Sequence, residues 1–159
     1  MDPIRRRGRR RCARALRHRR GHVLHIEGYS LPHQGAAPHR PLRRAPPFHR
    51  VGGHSWQLTY YPNNEIREFA DFICVAVERL RESEPGRGSV HARVTLSLLD
   101  HAGEPVPSHT KAAALQYFSE VAGIAFHDFV DRTWLEESEH LRDDRFAIRC
   151  DVVVPLEVR

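Results

Sequence analysis

Histidine is the residue type with the greatest chemical potential in this sequence, since imidazole binds metals and exchanges protons near neutral pH. The chain contains twelve histidines, but no HExxH motif that would place two ligands and a general base on one helix. His22 and His25 are three positions apart in a strand-like segment, where their side chains point to opposite faces. The histidine pattern therefore predicts no metal site.

The nucleophiles and carboxylates also lack the spacing of a catalytic site. Serines are present without a GxSxG elbow, and the three cysteines are far apart without a CxxC pair. The adjacent acidic pairs at 136–137 and 143–144 are typical of a solvated surface. We therefore expect no enzymatic activity and no cofactor, and we expect Cys74 and Cys150 to be small core residues.

The Val51-Gly52-Gly53 segment could belong to a phosphate-binding loop, but it lacks the GxGxxG spacing. A strand-like segment follows it, whereas a phosphate site needs a helix N-terminus at this place. A turn or bulge that requires positive φ is the simpler interpretation. Such a turn would direct Trp56 into the core.

Charge is divided unevenly along the chain. Residues 1–50 contain 14 arginines against two acidic residues, a net charge of +12, whereas residues 51–159 carry 11 basic and 18 acidic residues, a net charge of −7. Like charges at this density bury nothing, so residues 1–20 are predicted to be a disordered basic arm. The arm could bind nucleic acid or an acidic surface, but it has none of the interleaved aromatic residues of a single-strand binder. A localisation signal or an unstructured leader is favoured.

Membrane insertion and secretion are not indicated. No stretch of 18 apolar residues is present, and the first 20 residues lack the apolar segment of a secretory signal. We expect a protein of the nucleus or cytoplasm with no membrane partner.

The elements that would position any site read mainly as short strands separated by turns. Residues 31–47 hold five of the eleven prolines and are predicted to form an irregular loop. Short helical turns are predicted at 126–130 and 132–135, with Thr133 as a possible cap. The pattern indicates an antiparallel β-sandwich. The predicted strands cover residues 22–29, 56–60, 71–77, 90–99 and 146–154.

Four separated segments resemble the MATH (TRAF-homology) domain of plant BTB/POZ-MATH proteins, in the order and spacing of that family. They are HVLHIEGYS at 22–30, VGGHSWQLTYYPN at 51–63, VTLSLLDHAGEPVPS at 94–108 and the segment 141–154. The resemblance implies an all-β sandwich of about eight antiparallel strands over residues 21–156. It also implies a substrate-recognition module of cullin-RING ubiquitin ligases, which captures short linear motifs of client proteins.

The resemblance implies a peptide-binding groove, onto which this sequence maps with most of the aromatic residues replaced. Phe126 keeps its type, and Ile124 takes the place of a tryptophan. Tyr117 and Phe118 are plausible substitutes for a tyrosine, and being adjacent they cannot both face inward on a strand. The remaining groove positions fall on Ala76 and Val94.

In the family a BTB domain that follows the MATH domain binds the cullin scaffold, and this sequence stops at Arg159, where that domain would begin.

Two other readings of the function stay open at this point. One alternative is a nucleic-acid or acidic-surface binder acting through the arm. The other is a TRAF-like interaction scaffold, although no heptad repeat precedes residue 22. Binding through phosphate contacts weakens steeply as salt rises, whereas peptide capture changes little. The salt dependence of binding therefore separates peptide capture from binding through the arm.

Overall fold

The computed structural model of this chain describes residues 17–30, 43–44, 48–51, 54–62, 64, 66–80, 90–118 and 122–155. Most of the predicted arm, the glycines at 52–53 and most of the 31–47 segment lie outside these residues. The described residues form strands, one short helix, α1 (Arg132–Glu137), and a 3-10 turn at Arg67–Phe69. The strands are β1 (Arg17–Glu27), β2 (Arg43–Arg44), β3 (Phe48–Val51), β4 (His54–Tyr61), β5 (Phe72–Arg79), β6 (Val90–Leu99), β7 (Pro105–Ala112), β8 (Gln116–Phe118), β9 (Ala122–Asp131) and β10 (Arg145–Pro155).

The strands form two antiparallel sheets. In the first sheet the order is β1-β10-β6-β7, with β8 also paired to β6. In the second sheet the order is β2-β4-β5-β9, with β3 also paired to β4. The predicted antiparallel β-sandwich is confirmed.

Two of the edge strands are interrupted, which explains how ten segments make an eight-strand sandwich. Thr95 of β6 pairs with Ala112 of β7, and Ala92 pairs with Gln116 of β8, so β8 continues the line of β7 along the same partner. In the same way β2 and β3 pair successively along β4. Each sheet therefore has four strand lines.

The core lies between the two inner sheet faces. Trp56 is fully buried and meets Phe118 edge to face at a ring-centroid distance of 5.0 Å, so its predicted core position is confirmed. Alternation along the strands supplies the rest of the core, which includes Val75 and Val77 from one sheet and Val94 and Leu96 from the other. Such a core of large side chains supplies most of the favourable free energy of folding.

The cysteines divide between the two faces of their strands. Cys150 belongs to the core cluster, as predicted. Cys74 is also buried, at 4% exposure, but it alternates with the core residues Ile73 and Val75 and so lies on the outer face of β5.

The helical turn predicted at 126–130 is wrong, because these residues belong to β9. The register of β5 and β9 shifts between Ile73 and Val75, and this irregularity lets Phe126 and Phe129 both turn inward although they are three positions apart. The second helical turn is confirmed as α1. Its N-cap is Asp131, whose Oδ1 accepts from the backbone N–H of Trp134 at 3.0 Å, and not Thr133.

The start of β1 corrects the boundary expected between arm and domain. The charge pattern places residues 17–20 in the arm, yet the strand begins at Arg17 because its backbone pairs with Pro155 of β10. Backbone pairing needs no apolar side chain, so charge composition does not reveal it.

Candidate peptide-binding edge

The structure distributes the six predicted groove residues over different faces. Val94 and Phe118 are at most 1% exposed and lie in the core, where their side chains present no surface to a peptide. Phe126, at 9% exposure, and the half-buried Ile124 turn toward the core from β9. Two residues remain at outer faces: Tyr117, 61% exposed, and Ala76, which is 7% exposed.

The edge that β9 forms is the feature most suited to a partner. Among the described residues β9 pairs only with β5, so it ends the sheet and its far side carries backbone N–H and C=O groups without a ladder partner. Such a row of groups is a template for an added strand. The site is therefore an open backbone edge beside half-buried apolar side chains.

Small residues flank this edge on the outer face of the sheet. Ala76 pairs with the exposed Ala125, and Glu78 pairs with Gly123. A Cβ at Gly123 would lie 3.1 Å from the carbonyl oxygen of Val77 and 2.9 Å from Cγ of Glu78. Gly123 thus allows a close approach of the two backbones, and the exposed residues of β9 on this face, Ala125 and Gly123, are both small.

The edge of the first sheet lies next to β9 and closes part of the open side of the sandwich. The Nζ of Lys111 on β7 lies 3.1 Å from Oδ2 of Asp128 on β9. His109 on β7 stacks on Trp134 of α1 with ring centroids 3.5 Å apart. These two contacts join the edges near α1. The carbonyl oxygen of His127 also accepts from Nδ2 of Asn64 at 2.7 Å, so the free part of β9 is the part that precedes His127.

Electrostatics at this junction favour neutral histidine. Burial lowers the pKa of His109, and the charges of Lys111 and His140 lower it further. On the other side of α1, burial raises the pKa of Tyr29, with a further contribution from the carboxylate of Glu136. Burial also raises the pKa of the Cys150 thiol, which keeps this cysteine uncharged.

An exposed aromatic pair lies between β8 and β6. Tyr117 is directly opposite His91 of β6, and their rings meet at 5.2 Å with an interplanar angle of 61°. Exposed Leu115 precedes this strand. Aromatic and aliphatic side chains exposed together are suited to protein contact.

A cysteine–histidine contact lies on the outer face of the second sheet. The Sγ of Cys74 is 3.5 Å from Nδ1 of His127, and the imidazole stacks on Phe69. This pairing can activate a thiol, but Cys74 is only 4% exposed and closed to a substrate. We assign the contact to packing.

The described ranges contain no group of three or more histidine, cysteine, aspartate or glutamate side chains placed to hold a metal ion. No helix in them is long and apolar enough to cross a membrane.

Sequence reasoning missed the contacts that join the two edges. Lys111 and Asp128 belong to segments 17 positions apart, and neither segment has a motif that marks the pair. The sequence PVPSHTKA at 105–112 has no regular apolar–polar alternation, although the structure places an edge strand there with half-buried residues at 106, 109 and 111. Alternation therefore identified neither this strand nor the strand that it meets.

Comparisons with known proteins agree with this architecture. A family model described as MATH domain matches residues 21–152. BTB/POZ and MATH domain-containing protein 3 of Arabidopsis thaliana is 29% identical over 143 residues, which cover 84% of this chain and 33% of that protein. BTB/POZ and MATH domain-containing protein 4 of the same plant is 30% identical over 143 residues, which cover 84% of this chain and 29% of that protein. The chain spans about a third of the length of these curated relatives.

The fold has a solved counterpart in TRAF5 of Notothenia coriiceps. The TM-score is 0.66 at 18% identity, and the match covers 87% of this chain and 76% of that chain. At this identity the likeness shows the fold.

Proposed function

We propose that this chain, which belongs to the MATH domain family, captures a short extended segment of a partner protein along β9. Membership of this family supports a role as a protein-interaction module. The observation that carries this proposal is the edge of β9, which has β5 as its only strand partner among the described residues. An extended peptide can add to such an edge as a further strand.

Backbone hydrogen bonds would supply most of the register in this complex. The peptide would run along residues 122–126, before the contacts of His127 with Asn64 and of Asp128 with Lys111. Alternate peptide side chains would point over the small residues Ala125 and Gly123 and toward the half-buried Ile124. Because these two residues are small, the peptide could carry bulky side chains at the positions beside them.

Two polar or aromatic features would add selectivity. The Tyr117–His91 pair offers a flat aromatic surface with few rotors to order. The Lys111–Asp128 pair presents both charges at the surface, with side chains 37% and 48% exposed. A client with an aromatic anchor at one end of its segment and a polar residue at the other matches these features.

The wider role that we propose is client selection for ubiquitination in the nucleus or cytoplasm. In this role the domain performs no chemistry and needs no cofactor, because it acts only by holding the client. A cullin scaffold would be reached through a BTB domain, which the matched relatives carry by name.

The test uses a peptide selected from a random phage-displayed library on the full chain. Ala125→Trp places a large ring on the outer face beside the open edge of β9, and we expect it to weaken binding of the selected peptide at least tenfold. Ala112→Trp is the matched control, since Ala112 is an exposed alanine at the end of an edge strand of the other sheet. We expect it to change the affinity less than twofold. Equal effects of the two changes, or a peptide that binds the Ala125→Trp variant unchanged, would remove β9 as the site.

A further inference from the structure

A second concave site lies away from β9, at the end of the first sheet. Its cavity of about 360 Å³ is lined by residues from β1, β10, the β6–β7 turn and the segment after α1. In the strand register His25 pairs with Ala147, and Ala147 pairs with Leu99, so these three form one row across the outer face. The short side chain of Ala147 is at the centre of this row, which makes the floor of the cavity.

The walls are formed by longer polar side chains. Glu27 and Arg145 form the next row of the sheet, and Arg142 faces Arg145 across a tight hairpin. Two backbone hydrogen bonds of 3.0 and 2.9 Å hold this pair of arginines together. The remaining polar lining residues are His25, Asp100, His101 and His140.

The two arginines are the distinctive part of the lining. No carboxylate of the described residues forms an ion pair with the guanidinium group of Arg142 or Arg145. Like charges directly opposite each other in a β-ladder are unfavourable when they stand alone. An anion that bridges the two groups would turn this repulsion into attraction, because guanidinium forks bind oxyanions in a bidentate manner.

The two carboxylates in the lining both have partners within the protein. Asp100 is directed into its own turn, where Oδ1 accepts from the backbone N–H groups of Ala102 and Glu104, both at 2.9 Å. The Nδ1 of His140 is buried and has no hydrogen-bond partner among the described residues. Glu27 is the remaining carboxylate in the lining, and it lies opposite Arg145 rather than beside Arg142.

We propose that this pocket binds a small oxyanion, with phosphate as the best fit, held between Arg142 and Arg145 over the floor of Ala147. The cavity is large enough for a phosphate and a short attached group, so it would accept the side chain of a phosphorylated serine as well as free phosphate. This inference is independent of the peptide site on β9.

The test follows binding of inorganic phosphate to the full chain by amide chemical shifts in NMR spectra. We expect saturable changes at the residues that line the cavity. The double change Arg142→Gln and Arg145→Gln should weaken binding at least tenfold. Arg93→Gln removes the same kind of charge from an exposed position on β6 outside the pocket, and it should change binding less than twofold.

A second variant tests the cavity without altering charge. Ala147→Leu fills the floor and should weaken phosphate binding at least fivefold, whereas Val23→Leu, on the same outer face but outside the cavity, should have no effect. A parallel titration with phosphoserine amide distinguishes the source of the anion, since tighter binding than inorganic phosphate assigns the pocket to a phosphorylated side chain. Shifts that do not saturate, or equal weakening by Arg93→Gln and the double change, would overturn the proposal.

Discussion

Tyr117 and Phe118 are neighbours in β8 with opposite roles, because successive strand residues face opposite sides of a sheet. Tyr117 is 61% exposed and Phe118 is 1% exposed against Trp56. We expect Phe118→Ala to lower the free energy of unfolding by about 3–5 kcal/mol, and Tyr117→Ala to change it by less than about 0.5 kcal/mol. Tyr117→Ala should still weaken peptide binding by about 1 kcal/mol. Urea denaturation and calorimetric binding measure the two quantities, and a loss of binding that only follows a loss of stability would contradict this division.

Trp56 is the largest fully buried side chain of the described core. Its removal leaves a cavity that the rigid strands around it cannot fill. We expect Trp56→Ala to cost about 3–5 kcal/mol, a large part of the stability of a domain of this size. Thermal denaturation checks this expectation, and an unchanged melting temperature would show that Trp56 does not hold the core.

His109 makes stability depend on pH. Its pKa in the folded state is below the ordinary value of 6.5, so the fold favours the neutral ring. Stability is therefore complete above that value and is lost as the pH falls through the lowered pKa. His109→Phe keeps a ring against Trp134 without a titrating group, so its stability should fall less between pH 7 and pH 5. If both proteins lose the same stability over this range in urea denaturation, His109 is not the source.

At the scale of elements, the hairpin between α1 and β10 shows how one side chain joins distant segments. Asp143 and Asp144 both have positive φ, 51° and 63°. Only Asp144 also binds Ser30, accepting from its backbone N–H at 2.9 Å and from its hydroxyl at 2.8 Å. The hairpin is thereby attached to the end of β1.

The two aspartates form a matched pair for measuring that attachment. Both alanine variants keep a side chain at positive φ and remove one negative charge. We expect Asp144→Ala to lose about 1 kcal/mol more stability than Asp143→Ala, since it also removes two hydrogen bonds. Equal losses in urea denaturation would mean that the Ser30 contact contributes nothing.

The elements that alternation predicted are the paired strands with one buried face, such as β6 and β10. Element β9 was not predictable in the same way, because its bulge brings Phe126, Phe129 and Val130 inward with a spacing that imitates a helix. For the groove, alternation correctly required Tyr117 and Phe118 to face opposite sides. It could not place Val94 in the core rather than at a surface, since that depends on which sheet covers each face.

At the scale of the whole molecule, the edges of the two sheets determine where a partner strand can add to the sandwich. The β7 and β9 edges meet through the Lys111–Asp128 and His109–Trp134 contacts, and β9 continues beyond them as an open edge. The basic residues of the first third of the chain offer a different mode, driven by charge. Binding along an edge uses backbone hydrogen bonds and changes little with salt, whereas binding through six or more phosphate contacts falls by about 10³–10⁵ between roughly 50 and 200 mM salt.

Amide hydrogen exchange of the full chain, with and without a library-selected peptide, tests the central claim most directly. Outward amides of an edge strand exchange readily until another strand covers them. We expect the peptide to slow exchange at alternate residues of β9 between Ala122 and Phe126, to the same extent at about 50 and 200 mM salt. Slowed exchange confined to β1 and the segment before it, and lost at the higher salt, would contradict capture along β9 and favour binding through the basic residues.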